Sequence, residues 1–264
     1  MHVRATARAL RLAARDPAEA LDRVRSKLEH RIDRRTPRPE PGTYEVSRDF
    51  DRRLHERLGA PFPCEAAAEF AGTWSELDES LAASSSFIGA WVHDADENLA
   101  RTVWCLVRHL RPQRVVETGV ARGITTRVLL EALDRNGDGR LWSVDLPLLR
   151  TPWHDQTAAA VPESLHPRWT YVRGSSRRRL PGLLAELGEI DVFVHDSAHT
   201  EKNMRFEFER AWSALRPGGA LVSHDVQGNA AFADFAAATS QEPLYARYDE
   251  GPGLVGILVQ DAQG

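Results

Sequence analysis

From about residue 94 the chain alternates short aliphatic, β-branched runs with longer stretches of helical period. E-N-L-A-R-T-V-W-C-L-V-R-H-L places Leu99, Val103, Leu106 and Leu110 on one helical stripe. Strands are predicted at 114–118, 141–145, 169–173, 190–195 and 220–225, with helices at 124–134, 176–187 and 201–215. Met204, Phe208, Trp212 and Leu215 share the apolar face of the last helix, and Thr200 is its expected cap. Strand, helix, strand repeated this way gives a parallel sheet with helices on both faces. Such sheets bind ligands beyond the carboxyl ends of their strands. The tail is different. Residues 244–248 and 254–260 are strand-like and flank the turn D-E-G-P-G, with no helix between them. Two strands joined so closely are antiparallel, so the predicted sheet is mixed.

The first 93 residues read as a helical extension, and 94–264 as the sheet-bearing domain. Ala, Arg and Leu dominate the first 35 positions, which predict one or two helices, the second starting at Pro17 with Asp16 as cap. T-P-R-P-E-P-G at 36–42 cannot continue a helix and reads as a linker. Helices are predicted again at 47–58 and 74–83, followed by a polar break at Ser84 to Ser86. Arg4, Arg8, Arg11 and Arg15 recur at helical spacing, as in a transit peptide or a helix on an anionic surface. The segment lacks a bulky apolar face, so a solvated helix or a docking arm is the preferred reading.

Composition narrows the function classes. A formal net charge of -4 over 264 residues provides no global field for nucleic acid. No apolar run approaches the ~20 residues of a membrane span. The cysteines, Cys64 and Cys105, form no C-x-x-C pair, so neither a disulfide framework nor a cysteine zinc site is expected. A reducing cytosol fits this usage.

V-V-E-T-G-V-A-R-G-I-T-T at 115–126 is the most informative stretch. A strand ends in an acid, and Gly119 and Gly123 leave a bare turn before a helix whose free N–H groups favour a negative group. The pattern G-x-A-x-G lacks the dinucleotide fingerprint, and no Gly-Lys-Ser/Thr of a P-loop is present. The next strand, L-W-S-V-D, ends in Asp145, placed to accept hydrogen bonds from ribose hydroxyls. E-T-G-V-A-R-G-I-T-T resembles motif I of the class I S-adenosylmethionine (SAM)-dependent methyltransferases, with Ala121 at the middle glycine. The resemblance spans about 94–260 and includes the terminal hairpin. It implies a Rossmann-like α/β fold with a mixed seven-stranded sheet, SAM beside Gly119, Ala121 and Gly123, and Glu117 near the methionyl ammonium. R-G-S-S at 173–176 stands where related enzymes often carry Gly-Asp-Ser, which makes Ser175 a weak candidate for the adenine.

Two further strand ends each deliver His-Asp: His195-Asp196 and His224-Asp225. Adjacent parallel strands lie about 4.8 Å apart, so Asp196 and Asp225 are expected to face one site. Carboxylates that close repel unless a cation or proton lies between them. Oxygen ligands suit Mg²⁺, and His224 as a third ligand moves the preference toward Mn²⁺. Asn229 is a further neutral oxygen donor. His199, at a helix entry, is a suitable base for a substrate hydroxyl. D-S-A-H-T followed by R-P-G-G-A-L-V-S-H-D resembles the subgroup of macrolide sugar O-methyltransferases and cephalosporin-hydroxylase-like proteins. There the strand-four acid, here Asp196, binds metal, and the histidine three later, here His199, is the base. The long connection 147–167, with Trp153 and His154, is expected to shape a pocket.

The expectation is therefore a cytoplasmic SAM-dependent methyltransferase acting on the hydroxyl of a small metabolite, with divalent metal assistance. It binds neither nucleic acid nor membrane, and its N-terminal helices act as a lid or as the contact of a homo-oligomer. A metal-free N- or O-methyltransferase and a non-catalytic SAM- or nucleoside-binding partner are the alternatives.

Overall fold

The computed structural model describes residues 14–40, 42–83, 96–147, 149, 156–248 and 253–261. The predicted first helix, the break at Ser84 to Ser86, Trp153 and His154 lie outside the described residues, apart from the end of that helix.

Helix α1 (Pro17–Asp33) starts as expected: Glu19 N donates to the Asp16 carboxylate at 2.8 Å, and proline sits in the first turn. Helices α2 (Phe50–Arg57) and α3 (Glu65–Ala83) follow, then α4 (Glu97–Leu110). Asp96 caps α4 by accepting from Asn98 N and Leu99 N. The remaining order is β1 (Arg114–Thr118), α5 (Ile124–Asn136), β2 (Arg140–Asp145), β3 (Trp169–Arg173), α6 (Ser176–Leu187), β4 (Ile190–His195) and α7 (Glu201–Trp212). Strand β5 (Leu215–Ser223), α8 (Ala231–Thr239), β6 (Leu244–Arg247) and β7 (Leu254–Val259) complete it.

The sheet order is β3-β2-β1-β4-β5-β7-β6. Strands β1 to β5 are parallel, and β7 enters antiparallel between β5 and β6. The chain reverses direction across the sheet between β1 and β4, and a ligand crevice forms at that switch point. Side chains alternate between two cores, as the pleat requires. Val115, Leu141, Val192 and Val222 pack under α4 and α5, whereas Val116, Val144, Phe193 and Leu221 pack under α6, α7 and α8.

The helices before the sheet share the first of these cores. Leu54, Phe70 and Leu77 are buried in one cluster with Leu99 and Val103, and the Trp104 indole donates to Ala66 O at 2.7 Å. Residues 44–47 run along the sheet edge, where Ser47 N donates to Tyr245 O at 2.9 Å. Strand β5 departs from expectation. It begins at Leu215 rather than 220, because R-P-G-G stays in the sheet through an irregular register between Ile190 and Val192 of β4. It ends at Ser223, so His224 and Asp225 stand just beyond it.

Candidate active site

The crevice at the switch point is floored by the glycine turn. Gly119 has φ +88°, and a Cβ there would lie 2.1 Å from the Asp196 carbonyl oxygen. The turn and the end of β4 therefore touch backbone to backbone, which only glycine permits. Gly123, with φ +87°, is the left-handed cap of α5, and Ala158 and Val161 close over it. Ala121 also takes a left-handed backbone, φ 46°, and its carbonyl accepts from Ala158 N.

The last two residues of β1 point to opposite layers. Glu117 turns toward α5 and is fully buried, its Oε2 accepting from Thr126 and Ser143 at 2.8 and 2.7 Å. Its Oε1 has no hydrogen-bond partner. Burial outweighs the two hydroxyls and pushes its pKa up to about 8. Thr118 turns toward α7 and donates to Glu207 at 2.5 Å.

At the end of β2, the Asp145 carboxylate accepts from Val120 N of the glycine turn at 3.3 Å and from the Tyr171 hydroxyl at 3.2 Å. Burial raises its pKa. A cavity of about 340 Å³ opens beside it, lined by Pro147, Thr157, Ala158, Trp169, Tyr171 and Arg173. Helix α1 lies across this end of the sheet. Arg23 donates to Pro147 O at 2.7 Å, Glu19 pairs with Arg173, and Ser175 donates its hydroxyl to Asp22 at 2.6 Å. The proposed adenine contact of Ser175 would thus compete with Asp22.

Beyond β4 and β5 the acids and histidines converge, in a grouping different from the expected one. Donor atoms of Asp196, His199 and His224 all lie within 4.8 Å of one another. His224 Nδ1 is 3.1 Å and His199 Nε2 is 3.7 Å from Asp196 Oδ1. Both ring nitrogens are buried, and neither has an aligned hydrogen-bond partner. Asp225 stands aside from that trio. Its backbone is left-handed, φ 52°, and its carboxylate accepts from Tyr248 OH and Gln227. It stays 3.7 Å from His224 Nδ1. Asn229 uses its oxygen on Ala231 N and its amide on His199 O and Met204.

Burial, with His195 and His224 beside it, pushes the His199 pKa down to about 4, so its ring is neutral at physiological pH. Burial opposes charge on His224 too, but the Asp196 and Asp225 carboxylates outweigh it and raise its pKa. His195 packs its ring edge-on to His199, with centroids 5.2 Å apart. Behind it lies Glu207, a residue the sequence reading passed over. Glu207 accepts from His195 Nδ1 at 2.6 Å, Ser197 at 2.8 Å and Asn203 at 2.8 Å, besides Thr118. Its burial favours the acid form, but His195 and these donors overcome that and hold its pKa down at about 2. The available signal was an acid on the apolar face of α7, between Met204 and Phe208.

Residues 116–226 match the family model described as a methyltransferase domain. An O-methyltransferase from Bacillus cereus, solved in complex with SAH, shares the fold: TM-score 0.53, 18% identity, over 80% of this chain and 97% of that one. The fold is therefore shared with that O-methyltransferase, and the methyltransferase-domain match runs from β1 to just beyond the end of β5. The O-methyltransferase TomG from Streptomyces achromogenes, involved in tomaymycin synthesis and solved with SAM, also matches. It has a TM-score of 0.49 and 16% identity, over 75% of this chain and 90% of that one. No curated protein matches the sequence. In this domain the glycine turn, Asp145 and the trio of Asp196, His199 and His224 stand at the carboxyl ends of β1, β2, β4 and β5. No described helix is long and apolar enough to cross a membrane.

Proposed function

We propose that the domain methylates a hydroxyl of a small molecule, with His199 as the general base. The observation that carries this reading is the half-buried trio of Asp196, His199 and His224, whose first member touches the glycine turn. An imidazole kept neutral by burial, with a free ring nitrogen and no aligned partner, is ready to accept a hydroxyl proton. The Asp196 carboxylate beside it favours the imidazolium once the proton arrives.

The crevice residues fit SAM. Asp145 offers acceptor oxygens for ribose hydroxyls, beside a turn that Gly119, Ala121 and Gly123 hold in a left-handed backbone. Glu117, sealed under the turn with an unpartnered oxygen, is the acceptor that an ammonium near the turn would call on, and that cation would favour its ionised form. SAM bound there supplies a methyl group on a positively charged sulfur. Asp196 serves both neighbourhoods, because its backbone lies against the turn while its carboxylate faces the histidines. Helix α1, through Arg23, Glu19 and Asp22, acts as a lid that excludes water from this end of the sheet.

The donor set also fits a divalent cation. Asp196 and His224 would hold it, with His199 as the nearest third donor, and two imidazoles with one carboxylate favour Mn²⁺ or another transition metal over Mg²⁺. Such a cation would supply Lewis-acid polarisation of a substrate oxygen. Ligation and base catalysis compete for His199 Nε2, so they are separable by experiment. The test is a screen of hydroxylated metabolites with methyl-labelled SAM, read by mass spectrometry, for wild type and His199→Ala. The expected result is labelled product from wild type only, with SAM binding retained by the variant in calorimetry. Unchanged product from His199→Ala overturns the base assignment. Insensitivity of wild type to a chelator assigns His199 to proton transfer rather than ligation.

A further inference from the structure

A second set of metal-type donors meets far from the crevice, between α2, α3 and α4. His55 lies on α2, Cys64 immediately precedes α3, and Cys105 lies on α4. All three are buried, and one donor atom from each lies within 4.8 Å of the others. No C-x-x-C pair marks this place, because Cys64 precedes α3 and Cys105 lies on α4.

The hydrogen bonds already orient these groups as ligands. His55 Nδ1 is 2.6 Å from the Asp51 carbonyl oxygen, which can only accept, so Nδ1 carries the ring proton. The Nε2 lone pair is left facing Cys64 Sγ at 2.9 Å. One nitrogen pinned by a carbonyl and the other aimed at a donor cluster is the outer-shell arrangement of a metal-binding imidazole. Cys64 Sγ also accepts Ala67 N at 3.3 Å from the first turn of α3. A fourth group stands one helical turn along α4 from Cys105. His109 is at i+4, on the same face, with its ring centroid 5.0 Å from that of His55. His109 Nε2 is buried without a hydrogen-bond partner.

We propose that His55, Cys64, Cys105 and His109 form a structural metal site of the zinc class, which staples α2 and α3 to α4. Two thiolates and two imidazoles are a tetrahedral zinc set, with Zn–S about 2.3 Å and Zn–N about 2.0 Å. Those lengths place neighbouring donors about 3.5 Å apart, so the His55–Cys64 contact opens by roughly half an ångström on loading. Loading releases the two thiol protons to solvent. The site is separate from the crevice and stabilises the helices behind the sheet.

Cobalt titration of the full chain, purified with reductant and stripped of metal, tests this. The expected result is one equivalent of Co²⁺ with intense tetrahedral visible bands and a near-ultraviolet thiolate charge-transfer band, displaced by one equivalent of Zn²⁺. The band should survive in His224→Ala, since the crevice trio contains no sulfur, and should be lost in Cys105→Ser. Zinc should also raise the Tm of wild type. If Cys105→Ser does not fold, the charge-transfer band and zinc displacement in wild type still decide the matter. A wild-type chain shown folded by circular dichroism that gives no thiolate band overturns the proposal. So does a Cys64–Cys105 disulfide found by mass spectrometry of the purified, unreduced protein.

Discussion

Replacing Glu117 by Gln tests the electrostatics of the crevice floor most directly. Glu117 is fully buried, and only one of its oxygens is hydrogen bonded. Its pKa rises from 4.5 in the unfolded chain to about 8 in the folded one. The folded state therefore holds the proton more tightly. The associated stability is complete below pH 4.5 and is lost as pH rises through about 8. At about 1.4 kcal/mol per pKa unit, the full swing is roughly 5 kcal/mol, and about 4 kcal/mol of it falls between pH 5 and pH 8.5. Glutamine keeps an acceptor for Ser143 and Thr126 and cannot ionise. At pH 5 the variant should match wild type or lose up to about 2 kcal/mol for a buried amide without a partner. By pH 8.5 the balance should have moved several kcal/mol in favour of glutamine. Urea unfolding midpoints of both proteins at the two pH values measure this, and the difference between the proteins cancels every other titrating group. A wild-type-minus-variant difference that stays constant with pH refutes the argument. It would mean that the carboxylate is solvated or paired at neutral pH.

Glu207 behaves in the opposite sense. Its folded pKa, about 2, is below its ordinary 4.5, so its contribution is present above pH 4.5 and lost as pH falls through about 2. Glu207→Ala strands His195, Thr118, Ser197 and Asn203 and should cost about 3–5 kcal/mol in chemical unfolding at pH 7; a loss under 1 kcal/mol would contradict the network. Gly119→Ala places a methyl 2.1 Å from the Asp196 carbonyl oxygen and forces a left-handed alanine. Thermal unfolding should show a loss of several kcal/mol, about 1–2 from the backbone alone, and SAM binding should disappear. Arg23→Ala removes the contact of α1 with Pro147 O and should raise the SAM dissociation rate severalfold in stopped-flow with little change in Tm. An unchanged rate would remove α1 from the role of lid.

How much of this was legible in the sequence depends on how local each signal is. Strands β1, β3 and β4 fall where the aliphatic runs place them, and α1 starts at the predicted Asp16–Pro17 cap, because pleat period and capping chemistry are written in neighbouring residues. The start of β5 is not legible in the sequence because R-P-G-G has the composition of a turn. In the sheet those residues accommodate an irregular register, and a Cβ on Gly219 would meet the Asp191 carbonyl at 2.8 Å. Pattern alone predicts that β6 and β7 are antiparallel, but not that β7 inserts between β5 and β6.

The candidate site divides along the same line. Asp196, His199 and His224 were visible as strand-end and helix-entry residues, and adjacent strands bring them together. The expected pairing of Asp196 with Asp225 needed one more fact, the left-handed backbone at Asp225, which turns its carboxylate toward Tyr248. A non-glycine residue in that conformation leaves no mark in the sequence. Glu207 did leave one, as an acid among the apolar positions of α7. Such an acid at period-correct spacing is a demand for buried donors. His195 at the end of β4 and Thr118 at the end of β1 answer it, and both strands lead into the crevice. The two strands that deliver Gly119 and Asp196 are thus locked together by one carboxylate behind them. A perturbation at Glu207 should therefore reach the crevice as displacement of both strand ends, before any residue that meets the ligand is altered.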